Sequence, residues 1–272
     1  MKKQIIAAAV TIIAAATLAG CGGGGSTTPT TATVAGKVAD GYLENATVFM
    51  DKNNNYLLDE GEPKAITNDG GEYTLTVNSD DVGRYPIIAL ALAGTTTDMD
   101  NPTTKIAHSY LLSLPKESVT GTVSTDSGNF LSPLSTQLRE MMVTGDYATM
   151  YDAMVDLREK LGVPADAEIM ADYMSGQYQN AALHTAAQHI ATLMGEQQNL
   201  MFRDPDSATG LDVNRYRYMM GAIFGSMSTV RTVAQMPSGM TSNISNITVG
   251  MPFQNMSSFR SGMTWGGSRM GR

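Results

Sequence analysis

The chain has 272 residues and a formal net charge of −8 at neutral pH, from 18 basic and 26 acidic side chains. That balance argues against nucleic acid as a partner and against adsorption on anionic lipid headgroups, since both need a basic surface. A single cysteine and no CxxCH run exclude c-type haem and thiolate clusters.

Two lysines, Lys2 and Lys3, precede an apolar run from Ile5 to Leu18, and small residues follow up to Cys21. A charged start, a short apolar stretch and small residues at the cut describe an export signal. The stretch is shorter than the ~20 residues a bilayer core demands and has alanine as its commonest residue, which disfavours a transmembrane anchor. A plain secretory signal would leave an unpaired thiol in an oxidising compartment, at the cleavage position itself. With cysteine there, Leu18-Ala19-Gly20-Cys21 resembles the lipobox of a bacterial lipoprotein signal. The resemblance implies that residues 1–20 are removed, that Cys21 carries a diglyceride, and that the new amino terminus is fatty-acylated. Two or three acyl chains, at ~0.8 kcal/mol per buried methylene, make a lasting membrane anchor where one chain does not. Gly22 in place of aspartate implies, by the sorting rule of enteric bacteria, the outer membrane. Loss of Lys2 and Lys3 with the leader takes the exported part to −10.

Residues 21–33 contain the run GGGGSTTPTTAT, which has no bulky apolar side chain and is expected to act as a flexible tether. Residues 34–125 have the texture of a small β-sandwich. A strand starts at Val34 and another covers 46–50. Residues 72–77 alternate, with Tyr73, Leu75 and Val77 on one face, after a turn signal at 68–71. The nearly continuous apolar run 85–94 is expected to be a central strand covered on both sides. A polar tip at 95–105 leads to a returning strand within 106–114.

Between the early strands lies the sharpest local signal, a twelve-residue loop from Asp51 to Glu62. Asp51, Asn53, Asn55, Asp59 and Glu62 put oxygen donors at positions 1, 3, 5, 9 and 12, and Leu57 offers a main-chain carbonyl at position 7. This spacing wraps six or seven hard oxygen ligands around calcium. Tyr56 departs from the pattern, because position 6 usually takes glycine for its positive φ. The loop also sits between strands, where a polar hairpin without metal is the alternative. Any calcium would be structural, offsetting the entropy of closing a long loop, and weakly held, on the order of 10⁻⁴–10⁻³ M. Together with residues 36–41, 46–48 and 67–75, the loop resembles the carboxypeptidase-regulatory-like and adhesin B-type modules, which are transthyretin-like β-sandwiches. That resemblance covers roughly residues 34–80 and implies a stalk, spacer or binding module without catalysis.

Residues 131–235 are expected to form a helical bundle, making the fold class α+β. Ser132-Pro133 reads as a cap followed by proline at the first helical position, with Gly145 ending the helix. A second helix is expected from Tyr147 to Leu161, a third over 166–174, a fourth over 181–201 and a fifth from Asp212 to about Val233. The order of lipobox, β module and Ser132-Pro-Leu-Ser-Thr136 is similar to uncharacterised lipoproteins of metal-reducing bacteria, which implies no activity. His184 and His189 are five apart, so a helix points them in different directions and they make a poor metal pair. Ser132 and Ser135 lack a GxSxG elbow and a triad order, so an enzyme is not expected.

Residues 236–272 are rich in Met, Ser, Gly and Arg and carry little periodicity, which predicts disorder. The helix methionines are read as core filling, and the tail methionines lack the close spacing of copper carriers. The tail is either solvated or a docking segment with Phe253, Phe259 and Trp265 as anchors. Its arginines, with no acid after Asp212, would suit an acidic surface or an anionic glycan. The expected role is non-catalytic: a lipid-anchored binding surface at the outer membrane for adhesion, envelope assembly or support of an extracellular complex. A periplasm-facing accessory subunit is the alternative, and a hydrolase a more distant third.

Overall fold

The computed structural model describes residues 30–126, 128–228 and 230. The expectations placed on Cys21, on the tail 236–272 and on its anchors Phe253, Phe259 and Trp265 lie outside the described residues.

The described chain is a mixed α+β fold whose strands fall into three sheets. In the first, β1 (Thr31–Val38) is central. It pairs antiparallel with β5 (Glu72–Asn78) from Thr31↔Asn78 to Lys37↔Glu72, and parallel with β9 (Phe130–Leu131) through Lys37↔Phe130 and Val38↔Leu131. The strand therefore starts at Thr31, inside the stretch read as tether, because the long partner β5 offers a hydrogen-bonding edge as far as Asn78. In β5, Tyr73, Leu75 and Val77 are buried and the residues between them are not, as the alternation requires.

The second sheet runs in the order β4-β3-β6-β8, comprising Lys64–Ile66, Thr47–Met50, Ile87–Ala91 and Tyr110–Leu114. β6 lies between β3 and β8, antiparallel to both, which is where a strand with almost no polar residues must sit. Short strands β2 (Leu43–Glu44) and β7 (Thr97–Asp98) form the third sheet.

A buried amide fastens β1 to the segment that leads into β9. Asn129 Nδ2 donates to Ala35 O (2.9 Å) and Thr120 O (2.8 Å), while its Oδ1 accepts the Thr120 N–H (2.8 Å). Gly36 permits this approach, since a Cβ there would lie 2.0 Å from Asn129 O.

The Ser132–Thr136 motif is a structural stitch. Ser132 caps α1 (Pro133–Thr144) by accepting the Ser135 N–H, and Ser135 Oγ accepts the Ser132 N–H in return. Ser135 Oγ also donates to Ser113 O (2.7 Å), and Thr136 Oγ1 accepts the Ser113 N–H (2.8 Å). The hydroxyls thus saturate both backbone groups of Ser113 in β8, fixing where α1 leaves the sheet. Gly145 ends α1 in the left-handed conformation, as expected.

The later helices depart from their expected bounds. α2 covers Met150–Leu161 with Thr149 as its cap; Tyr147 stays outside and donates its hydroxyl to Asp156 Oδ2. Residues 166–174 form turns, with no α-helix among them. Asp172 there accepts from Tyr42 Oη (2.7 Å) and pairs with Lys37 (3.3 Å), and Tyr173 Oη donates to Ala39 O, so contacts to the first strand region hold this segment open. The fourth helix is broken at Gln197 into α3 (Ala181–Glu196) and α4 (Gln198–Met201). Gln198 Oε1 accepts the Ser109 N–H (2.6 Å) and its Nε2 meets His108 Nδ1 (2.9 Å), turning the backbone toward the strands. α5 covers Val213–Gly225 and ends in a turn at Ser226.

One buried cluster runs through the sheets and the helices, from Val34, Phe49 and Leu75 to Leu134, Ile190 and Met220. Strand and helix regions share a hydrophobic interior, so burial against α1 is part of what stabilises the second sheet.

Candidate functional site

The Asp51–Glu62 loop leaves β3 at its buried end, where the Asp51 N–H donates to Pro86 O (3.1 Å). Asp51 is fully buried, and its carboxylate accepts the N–H groups of Asn55 and Tyr56 (both 3.0 Å). Glu62 closes the other end by accepting the N–H of Lys52 (2.7 Å) and of Asp59 (3.1 Å). Asn53 and Asn55 both direct Nδ2 at Asp59 Oδ2, each at 2.7 Å. These two amides hold the Asp59 carboxyl below its ordinary range. Burial pushes the Glu62 carboxyl up, against its two backbone donors. Leu57, half-buried, donates its N–H to Asn55 Oδ1 (2.8 Å).

Asn53, Asn55 and Asp59 thus meet, but through amide N–H donors on a carboxylate and not through three oxygens. Among the described residues, no three His, Cys, Asp or Glu side chains gather into a cation cage. The residue types suit a hard cation, and half-turns of the Asn53 and Asn55 amides would bring two carbonyl oxygens beside the Asp59 carboxylate, at the cost of the N–H bonds that those oxygens now accept from Asn55 and Leu57. The backbone fits as well. Tyr56 has φ +66° and Asn54 φ +61°, so position 6 takes the left-handed turn of a calcium loop although it carries no glycine. Asp51 and Glu62 would have to exchange hydrogen bonds for the ion.

Tyr56 is the residue whose role the sequence concealed. Its side chain leaves the loop and enters the core, fully buried. The Arg139 guanidinium lies 4.0 Å from its ring centroid and that of Arg217 5.7 Å, while Tyr216 meets it edge-on at 5.4 Å. Its hydroxyl donates to Glu140 Oε1 (2.8 Å). Burial, with the neighbouring Glu140 charge, pushes the phenol up to about 12. Burial also raises the Glu140 carboxyl, although Arg139 and Arg217 oppose it. Arg139 completes the bridge with Asn54 Oδ1 at 2.6 Å and Asp51 Oδ2 at 3.4 Å. The loop is thereby bolted to α1 and α5. A tyrosine where glycine is usual was the available signal; which helices would receive it was not readable.

A second polar cluster lies at the other end of the strands. Asp40, also nearly buried, accepts the Tyr110 hydroxyl at Oδ2 (2.9 Å), and its Oδ1 has no hydrogen-bond partner. Burial first, then the nearby charges of Asp98 and Asp100, raise its carboxyl well above the usual range. Gly41 brings the backbone against these acids: a Cβ there would lie 2.0 Å from Asp98 Oδ1. Asp100 is held by His184 Nε2 and Gln188 Nε2, both at 2.7 Å. Asp40, Asp98, His108 and Tyr110 line a cleft of ≈ 440 Å³ against α3.

Among the described residues, no helix is long and apolar enough to cross a membrane. Compared with known proteins, the chain matches no family model, no curated sequence and no solved structure.

Proposed function

We propose that this protein is a non-catalytic lipoprotein of the bacterial outer membrane, tethered through Cys21 and presenting its folded part as a binding surface. The observation that carries the reading is Leu18-Ala19-Gly20-Cys21 behind Lys2, Lys3 and an apolar run, a few residues ahead of the first strand. Thr31 lies ten residue steps beyond Cys21, a reach of at most about 35 Å. An anchored fold would therefore stay close to the membrane surface.

The three- and four-stranded sheets, both feeding one core, are compatible with a transthyretin-like sandwich carrying the helices. The Asp51–Glu62 loop acts in this reading as a calcium clip, supported by its oxygen spacing and its left-handed Tyr56. The tail, with Phe253, Phe259 and Trp265 as anchors, offers a further contact for a protein or glycan partner.

Intact-mass spectrometry of the protein from a bacterial host tests the anchor. The expected species begins at Cys21 and carries diglyceride and acyl mass, and Cys21→Ala retains the leader. An unmodified thiol with residues 1–20 still attached refutes the proposal.

A further inference from the structure

Among the described residues of this acidic protein lies a cleft with a predominantly basic lining. The cleft measures ≈ 460 Å³ and lies between the Asp51–Glu62 loop, the turn ahead of β6, the segment after β8, and α1. Its charged lining is Lys52, Arg84, Lys116 and Arg139 against the single acid Glu117. Lys52 and Arg84 gather over the Tyr85 ring, 5.6 and 5.9 Å from its centroid. Lys52 is paired with Asp81 at 2.8 Å, whereas Lys116 is only loosely paired with Glu117 at 4.0 Å.

Arg139 supplies the second and independent observation. It is 3 % exposed, and its Nη1 has no hydrogen-bond acceptor. Its Nη2 is committed to Asn54 and Asp51, and its flat face to Tyr56. Leaving a guanidinium N–H unmade in a buried position is costly. Arg139 lines the cleft, so a small shift of its enclosed guanidinium would bring this N–H to an oxyanion bound there.

We propose that this cleft binds a small organic oxyanion, a carboxylate or phosphate ester about the size of one sugar. Arg139 is its buried donor, and Arg84 and Lys116 are its outer cations. The volume falls within the roughly 300–1,000 Å³ range of small-molecule sites, and the Tyr85 ring offers an apolar wall beside the charges. This ligand class deepens the binding role proposed above and rests on that reading only for its use in the cell. Oxyanion binding can fail with Cys21 fully lipidated, and lipidation can fail with binding intact.

Titration calorimetry with glucuronate, glucose 6-phosphate and glucose tests the site on the wild-type protein, Arg84→Gln/Lys116→Gln and Arg139→Lys. Both anions are expected to bind the wild type, more weakly as salt is raised, and glucose is not. The double variant is expected to lose affinity on the order of tenfold or more, and Arg139→Lys to lose affinity while keeping its charge. Arg84 and Lys116 are exposed, so the double variant decides the matter if Arg139→Lys does not fold. No heat with either anion, equal binding of glucose, or wild-type affinity in the double variant each overturns the proposal.

Discussion

Replacing Tyr56 by glycine sets two physical effects against each other. As a bare twelve-residue calcium loop, the segment should welcome glycine at position 6. Tyr56 sits at φ +66°, and a left-handed non-glycine residue costs roughly 1–2 kcal/mol. Glycine would recover that, less about 0.5–1 kcal/mol for the freer unfolded chain. The ring, however, is fully buried, and truncating such an aromatic costs about 3–5 kcal/mol. Loss of the stacking on Arg139 adds roughly 0.5–2 kcal/mol, and Glu140 is left short of a donor in the interior. The sum favours the tyrosine, and Tyr56→Gly should lose about 4 kcal/mol or more by urea unfolding followed by far-ultraviolet circular dichroism. Tyr56→Phe removes only the hydroxyl and should lose about 1–2 kcal/mol. A gain, or a loss under about 1 kcal/mol, in the glycine variant would refute the claim that this side chain bolts the loop to α1 and α5.

Thr136→Val strips the acceptor from the buried Ser113 N–H and should cost about 1–3 kcal/mol; an unchanged denaturation midpoint would show that the stitch carries no stability. The Asp40 carboxyl is raised in the folded state, so the native protein binds more protons there than the unfolded chain. Its contribution is therefore most favourable below the unfolded value of about 3.9 and is lost as pH rises through the folded value. Asp59, Glu72 and Asp126 are shifted the other way, so the wild type must be compared with Asp40→Asn at each pH; parallel stability curves above pH 4 would contradict this assignment. Calcium at ten times its dissociation constant should add about 1.4 kcal/mol of stability, and chelator should reverse it. Asp59→Ala is the cleaner control than Asp51→Ala, because Asp51 also holds the loop backbone and Arg139. A melt indifferent to both calcium and chelator removes the clip.

What the sequence determined by itself is local. The one-sided burial of β5, the double-sided burial of β6, and the ends of α1 at Ser132 and Gly145 follow from side-chain periodicity, caps and a glycine. The polar segment from Asp51 to Glu62 likewise reads as a loop between two strands, and it lies between β3 and β4. Tertiary structure decided whatever depends on partners distant in the chain. β1 extends to Thr31 because β5 pairs with it. Residues 166–174 stay out of a helix because Asp172 and Tyr173 reach back to Lys37, Tyr42 and Ala39. Helicity breaks at Gln197 because the next residue hydrogen-bonds Ser109 and His108. Nothing in the sequence links Tyr56 to Arg139 and Glu140 until folding brings the loop onto α1. Periodicity reports which face of an element is apolar, but not which remote charge or ring will be buried against it, because that depends on closing loops whose ends carry no local signal.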